Sequence, residues 1–277
     1  MDELIEKALI IQKDDDNELK KLLEESGFVI AALLVKLIGT TQDEIEDVLQ
    51  DDLDQILDIV DYLFEHFDKF PGKRKVKRVL NKRSFVLNFE EQVEPGIKNG
   101  FDECGQALAQ IYNTNFNYDD ITKKTKKEFE KWLRDLPKIM KLSTDNQVSK
   151  LIEQAFDEGK GVNWLRARLS ESYEFSYARS RTTAITELLT MQSYGAYENI
   201  MQTDSVTGAK WRHSGGVKEP RENHETLDGT IVKKGNEFDL GTETCLFPRQ
   251  PKLSAKERVR CHCWLEPVVD EKYFEEG

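Results

Sequence analysis

"GVNWLRARLSESYEFSYARSRTTAITELLTMQSYGAYENIMQ", residues 161–202, ends where the character of the chain changes. Its apolar residues recur at three- and four-residue spacing, which reads as two helices joined near Ser172–Phe175, the second of them long. From Thr203 onward Gly, Pro, Asn and Thr dominate and the helical period disappears. The C-terminal part contains "AKWRHSGG" (209–216), "GTIVKKGNEF" (229–238) and "VRCHCWLEP" (259–267). These short apolar runs bounded by turn residues suggest a small strand-containing module of about 70 residues.

Upstream the pattern is helical throughout. "DELIEKALIIQK" (2–13), "DNELKKLLEES" (16–26) and "GFVIAALLVKLIG" (27–39) precede a longer segment at 40–67. There Ile45, Val48, Leu49, Leu53, Ile56, Leu57, Val60 and Leu63 form one stripe. Thr41 with Glu44 fits a capping box opening that helix, and Pro71-Gly72 marks its exit. A second helical block covers 74–158, with a turn at "NTNFNYDD" (113–120) and a new helix capped by Thr144 or Asp145. Cys104, among Phe101, Ala107 and Leu108, reads as a buried core thiol. The expected fold is therefore mainly α with a small α+β C-terminal module, in which the helix near 176–202 supports a few short strands. Along the chain this gives an acidic helical arm (1–68), a helical region (69–160) and the C-terminal domain (161–270).

Composition narrows the function classes. With 38% hydrophobic and 33% charged residues in 277, the chain is too apolar for general disorder. No stretch approaches the roughly 20 apolar residues of a membrane span, and the acidic start lacks the basic region of a signal peptide, so a cytoplasmic location is expected. The net charge of −12 is concentrated in residues 1–65, which hold 19 acidic and 5 basic side chains. Immediately after comes "KFPGKRKVKRVLNKR" (69–83), with eight Lys or Arg and no acid. Lys73, Arg74, Lys75, Lys77, Arg78, Lys82 and Arg83 could contact DNA phosphates in a salt-dependent way; equally, the run could be a solvated helix face.

Four cysteines, at 104, 245, 261 and 263, do not make a disulfide framework for a chain this size. As a strand, "CHC" would put Cys261 and Cys263 on one face and His262 on the other. The two thiolates could share a zinc with Cys245, and His224 or His213 would complete a structural Cys₃His set. Packed free thiols and a redox pair remain open alternatives. "EPRENHETLDG" (219–229) offers His224 as a general base oriented by Asp228 or Glu225, or else a turn at Asp228-Gly229 steadied by that histidine. No phosphate loop, nucleophile elbow or His-Glu-x-x-His helix is present, and no small-molecule substrate suggests itself.

Taken in order, these motifs resemble the phage Mu protein F-like head-morphogenesis family. The helix "RSRTTAITELLTMQSYGAY" (179–197) is similar to its "R-A-x-x-I-A-R-T-E" helix, with Arg181, Ala184, Ile185, Thr186 and Glu187 matching. Trp211 comes next, and then Arg221, His224, Leu227, Asp228 and Gly229 fit "D-x-R-T-R-x-x-H-x-x-L-D-G". Pro248 in "CLFPRQP", with Glu257, Cys261 and Cys263, fits the closing proline loop and "a-x-E-x-I-N-C-R-C". This chain departs at Glu219-Pro220-Arg221 and has Arg260 and His262 where the family has Asn and Arg. The resemblance implies a minor head (minor capsid) protein of a tailed phage or prophage, without catalytic residues. Its partners would be the portal, capsid or scaffold proteins and packaged DNA, first in the host cytoplasm and then in the procapsid and virion. The competing reading is a small metal-dependent hydrolase or nuclease built on His224 and the cysteines.

Overall fold

The computed structural model describes residues 15–213 and 221–269. The helix expected at 2–13, Glu219-Pro220 and the tail beyond 269 lie outside the described residues. The helices are α1 (15–25), α2 (Ala31–His66), α3 (Lys73–Leu80), α4 (Phe85–Gln92), α5 (Glu94–Tyr112), α6 (Lys123–Asp157), α7 (Val162–Ser170) and α8 (Tyr177–Gln202). Beyond them lie five short strands and two short helices: β1 (Val206–Arg212), α9 (Glu222–Thr226), β2 (Ile231–Lys233), β3 (Phe238–Asp239), β4 (Thr244–Cys245), α10 (Ala255–Arg258) and β5 (Trp264–Val269). The architecture is mainly α with a small α+β C-terminal module, and helix gives way to strand just after Thr203, as the composition suggests.

Two expected helix starts are absent. The chain stays helical from Ala31 through Gly39 and Thr41, and Thr41 is buried in mid-helix. The apolar residues on both sides of Gly39 are buried, which outweighs the roughly 1 kcal/mol that a glycine costs inside a helix. Thr144 likewise lies inside α6, where its hydroxyl donates to the Met140 carbonyl at 3.1 Å, and Asp145 is drawn into ion pairs with Arg83 and Lys141. Side chains that would cap a helix end are here occupied by mid-helix partners.

The chain forms two compact units. One comprises Thr40–Gly96 and Glu130–Ala184; the other comprises Met1–Gly39, Ile97–Phe129 and Ile185–Gly277. Each of the three consecutive segments expected from sequence contributes to both.

In the first unit the core joins Ile56, Val60 and Leu63 of α2, Val76 and Leu80 of α3, Val148 and Ile152 of α6, and Leu165 and Leu169 of α7. A buried ionic network crosses it. Arg83 places Nη1 2.7 Å from both carboxylate oxygens of Asp52 and also pairs with Asp145. Burial pushes the Asp52 carboxyl up to about 6, against the pull of Arg83 and Lys141. Arg83 is thus spent inside the protein and cannot reach DNA, a correction to the sequence reading.

In the second unit the C-terminal two-thirds of α8 is enclosed on every side: Leu188, Leu189, Met191, Tyr194 and Ile200 are buried, and so are Glu187, Ser193 and Asn199. Its polar side chains find partners; Asn199, for example, donates to the Gly105 carbonyl at 2.9 Å. The helix backbones meet at two glycines, since a Cβ on Gly195 would lie 2.8 Å from the Gly105 nitrogen. Around this contact Phe101, Phe129, Tyr194 and Phe247 pack with ring centroids 4.6–5.7 Å apart. The strands form an antiparallel sheet of order β2-β1-β5, in register Ala209↔Val232 and Trp211↔Leu265, and a ribbon pairing Phe238 with Cys245. The Trp264 indole donates to the Ser26 carbonyl at 2.9 Å. Gly27, at φ +84°, permits the ring to lie close against it.

Candidate metal centre

The site lies in the second unit, where α9, α10 and the segment before β5 converge. The chain turns sharply at Arg260, whose φ of 59° is in the left-handed region, and the Cys261 amide donates back to the Arg258 carbonyl. Cys261 and Cys263 therefore lie in a turn ahead of β5, not in the strand that the sequence suggests. The alternation survives nonetheless: both thiols face one buried point, and His224 from α9 meets them there. His224, Cys261 and Cys263 are each 2% exposed.

Hydrogen bonding sets the histidine's tautomer. His224 Nε2 is 2.9 Å from the buried Glu257 carboxylate, which can only accept, so Nε2 carries the proton. Nδ1 then presents its lone pair to the sulfurs of Cys261 and Cys263, both at 3.5 Å. For a tetrahedral zinc with Zn–S of about 2.3 Å and Zn–N of about 2.1 Å, the sulfur–nitrogen edge is about 3.6 Å. The spacing matches. A carboxylate behind the ring is also the usual support of a metal-bound histidine. Trp211, fully buried, holds the imidazole from the side with its ring edge-on at 5.5 Å.

The two thiols are driven in opposite directions. A hydrogen bond from Cys263, assisted by His224 and the Arg249 charge, pulls Cys261 well below the usual thiol range; the same bond and burial push Cys263 up. One sulfur is thus a ready thiolate donor in an interior where an unpartnered anion would be costly.

Arg249 is fully buried, and no carboxylate pairs with it among the described residues. It follows Pro248 at φ +63° and threads the module. Nη1 donates to the carbonyls of Cys261 and Cys263 at 2.8 and 2.7 Å, while Nη2 donates to the Leu189 carbonyl and the Ser193 hydroxyl of α8 at 2.7 and 2.6 Å. One guanidinium therefore fixes the cysteine turn to the central helix.

The remaining motif residues are scaffold. Arg221 donates to the Lys256 and Val259 carbonyls at 2.7 and 2.6 Å, tying the start of α9 to α10. Glu187 of α8 pairs with Arg258 at 3.4 Å, and Arg181 donates to Gln42 at 3.0 Å within the first unit. Leu227 and Pro248 are buried. Asp228 does not orient His224, and neither does Glu225; Glu257 does. Asp228 instead accepts from the His213 amide at 2.8 Å, and Gly229, at φ +78°, turns the chain toward β2 with its amide on the Trp211 carbonyl. Cys245 is buried in β4 opposite Phe238 and is not a member of the three-residue group, so the expected Cys₃His set is not assembled. Cys104 is a buried core thiol pushed up by burial.

Sequence reasoning does not single out Arg249 or Arg258. Both look like solvated charges in "FPRQP" and "KERVR", and nothing local signals their burial.

Comparison with known proteins agrees with the motif order. Residues 146–266 match the family described as Phage Mu protein F like protein. The uncharacterized protein YqbB of Bacillus subtilis (strain 168) is 38% identical over 191 residues, 68% of this chain and 63% of that protein; the chain thus spans less than two-thirds of its relative's length. No solved structure matches.

Proposed function

We propose that the protein is a minor head component of a tailed phage or prophage, acting in procapsid assembly by binding the portal and assisting genome packaging or delivery. One observation carries the reading: the matched region spends its family-type polar residues on internal scaffolding. The cavity lined by His213, Arg221, His224, Cys261, His262 and Cys263 holds about 10 Å³. That is scarcely room for one water, and it argues against the hydrolase or nuclease alternative. No described helix is long and apolar enough to cross a membrane.

Within this role the His224, Cys261 and Cys263 group holds a structural zinc that staples a module with few long apolar runs. Contact with packaged DNA falls to the exposed Lys73, Arg74, Lys77, Arg78 and Lys82 on and beside α3. Lys73 leans toward Glu153 at 3.3 Å, and Lys75 lies over the Phe67 ring at 5.5 Å. Such contacts would weaken steeply with salt.

The test is co-expression with a portal protein of the same phage or prophage, followed by affinity purification. Stable co-purification is expected. Failure to associate, together with a metal-dependent hydrolysis abolished by His224→Ala in a folded protein, would instead establish the enzyme reading.

A further inference from the structure

The structure assigns a fourth ligand to this centre: we infer that His213 closes it as a Cys₂His₂ site, with Glu225 as its supporting carboxylate. The inference rests on the zinc reading above and deepens it.

The three-residue group leaves one tetrahedral position to fill. His213, the residue after β1, has its Nδ1 3.6 Å from the Cys263 sulfur, the edge length of a zinc tetrahedron. It stands outside the close group of three, so its ring must swing inward when the ion is bound. Its backbone is already anchored for that movement, since its amide donates to Asp228 at 2.8 Å.

The other ring nitrogen supplies a second, independent indication. Among the described residues, His213 Nε2 is buried and finds no hydrogen bond, although the Glu225 carboxylate lies 4.0 Å away. A short movement joins them. The result would repeat the arrangement at His224, where Nδ1 faces the thiols and Nε2–H is held by Glu257 at 2.9 Å. Two histidines from different strand and helix ends, each backed by a glutamate, would then meet two cysteines from one turn. The consequence is functional: with four protein ligands there is no open position for a water or substrate, and the ion is a staple, not a Lewis acid.

Cobalt(II) distinguishes the alternatives, because its visible absorption is strong in a tetrahedral S₂N₂ site and falls when water enters the coordination shell. The full-length protein, His213→Ala and His213→Cys would be titrated with cobalt and then competed with zinc, with circular dichroism confirming the fold of each. The wild type should show intense tetrahedral bands and one ion per chain. His213→Ala should lose most of that intensity and bind at least 10-fold more weakly. His213→Cys should regain the tetrahedral bands, shifted to lower energy by a third thiolate, which a merely structural histidine would not allow. A wild type that binds no metal overturns the zinc reading and this inference with it. Wild-type-like spectra and affinity in His213→Ala, or no recovery in a folded His213→Cys, would leave the zinc standing and refute His213 as its ligand.

Discussion

Replacing Arg249 by Leu removes the single side chain that joins the cysteine turn to the central helix. Two buried carbonyls of the turn (Cys261 and Cys263) would lose this donor, and the Leu189 carbonyl and Ser193 hydroxyl of α8 would lose their bonds from the guanidinium. Each stranded acceptor costs on the order of 1–3 kcal/mol. Against that, burying a guanidinium is itself expensive by several kcal/mol, and Leu is relieved of that cost. The balance is a net destabilisation of about 3 kcal/mol, a large share of the roughly 5–15 kcal/mol that holds a protein folded. For a unit of this size it corresponds to a fall in Tm of roughly 6–12 °C. Urea unfolding followed by tryptophan fluorescence would read it, since Trp211 and Trp264 lie in the module. Arg249→Lys should recover little, because an ammonium cannot span α8 and the turn with a rigid fork. A loss under about 1 kcal/mol for Arg249→Leu would refute the tether.

Further substitutions probe the same contacts. Glu257→Gln keeps the shape of the support behind His224 but removes its charge, and should weaken zinc binding by roughly 10- to 100-fold in a chelator competition. Gly195→Ala would drive a methyl to within 2.8 Å of the Gly105 backbone, and should cost about 1–3 kcal/mol in urea unfolding. For Asp52, the folded-state value of about 6 lies above the ordinary 3.8. Its protonated form is therefore favoured by folding, and that stabilisation, complete below about pH 4, is lost as pH rises through 6. Relative to wild type, Asp52→Asn should thus gain about 1 kcal/mol between pH 5 and pH 7; an advantage that shrinks over that interval would contradict the assignment.

The sequence speaks most clearly where patterns are local. The stripe from Ile45 to Leu63, the joint at Ser172–Phe175 and the loss of helical period after Thr203 are all legible, because the apolar period follows from the burial each element needs. The helix starts that Thr41 and Thr144 suggest are absent for a common reason. A hydroxyl that can cap a helix can also sit within one, and only long-range packing decides between the two. At the candidate centre, motif order brings out His224, Cys261 and Cys263 as residues of interest, yet the partners that decide its chemistry come from elsewhere. Glu257 is visible only as a motif letter, and the burial of Arg249 depends on Leu189 and Ser193, about 60 residues earlier. Cys245 looks equivalent to the other thiols in sequence, but it is paired with Phe238 in the β3–β4 ribbon and is not one of the three residues that meet at the centre. The basic run illustrates the limit of charge counting: Arg83 belongs to the same string as Lys82, and one is buried against Asp52 while the other is exposed.

The most direct test of the head-component account is quantitative mass spectrometry of purified procapsids and virions from an induced lysate. A few copies per particle, retained through gradient purification and released together with the portal, is the expected result. Abundant protein in the lysate with none in either particle would contradict it.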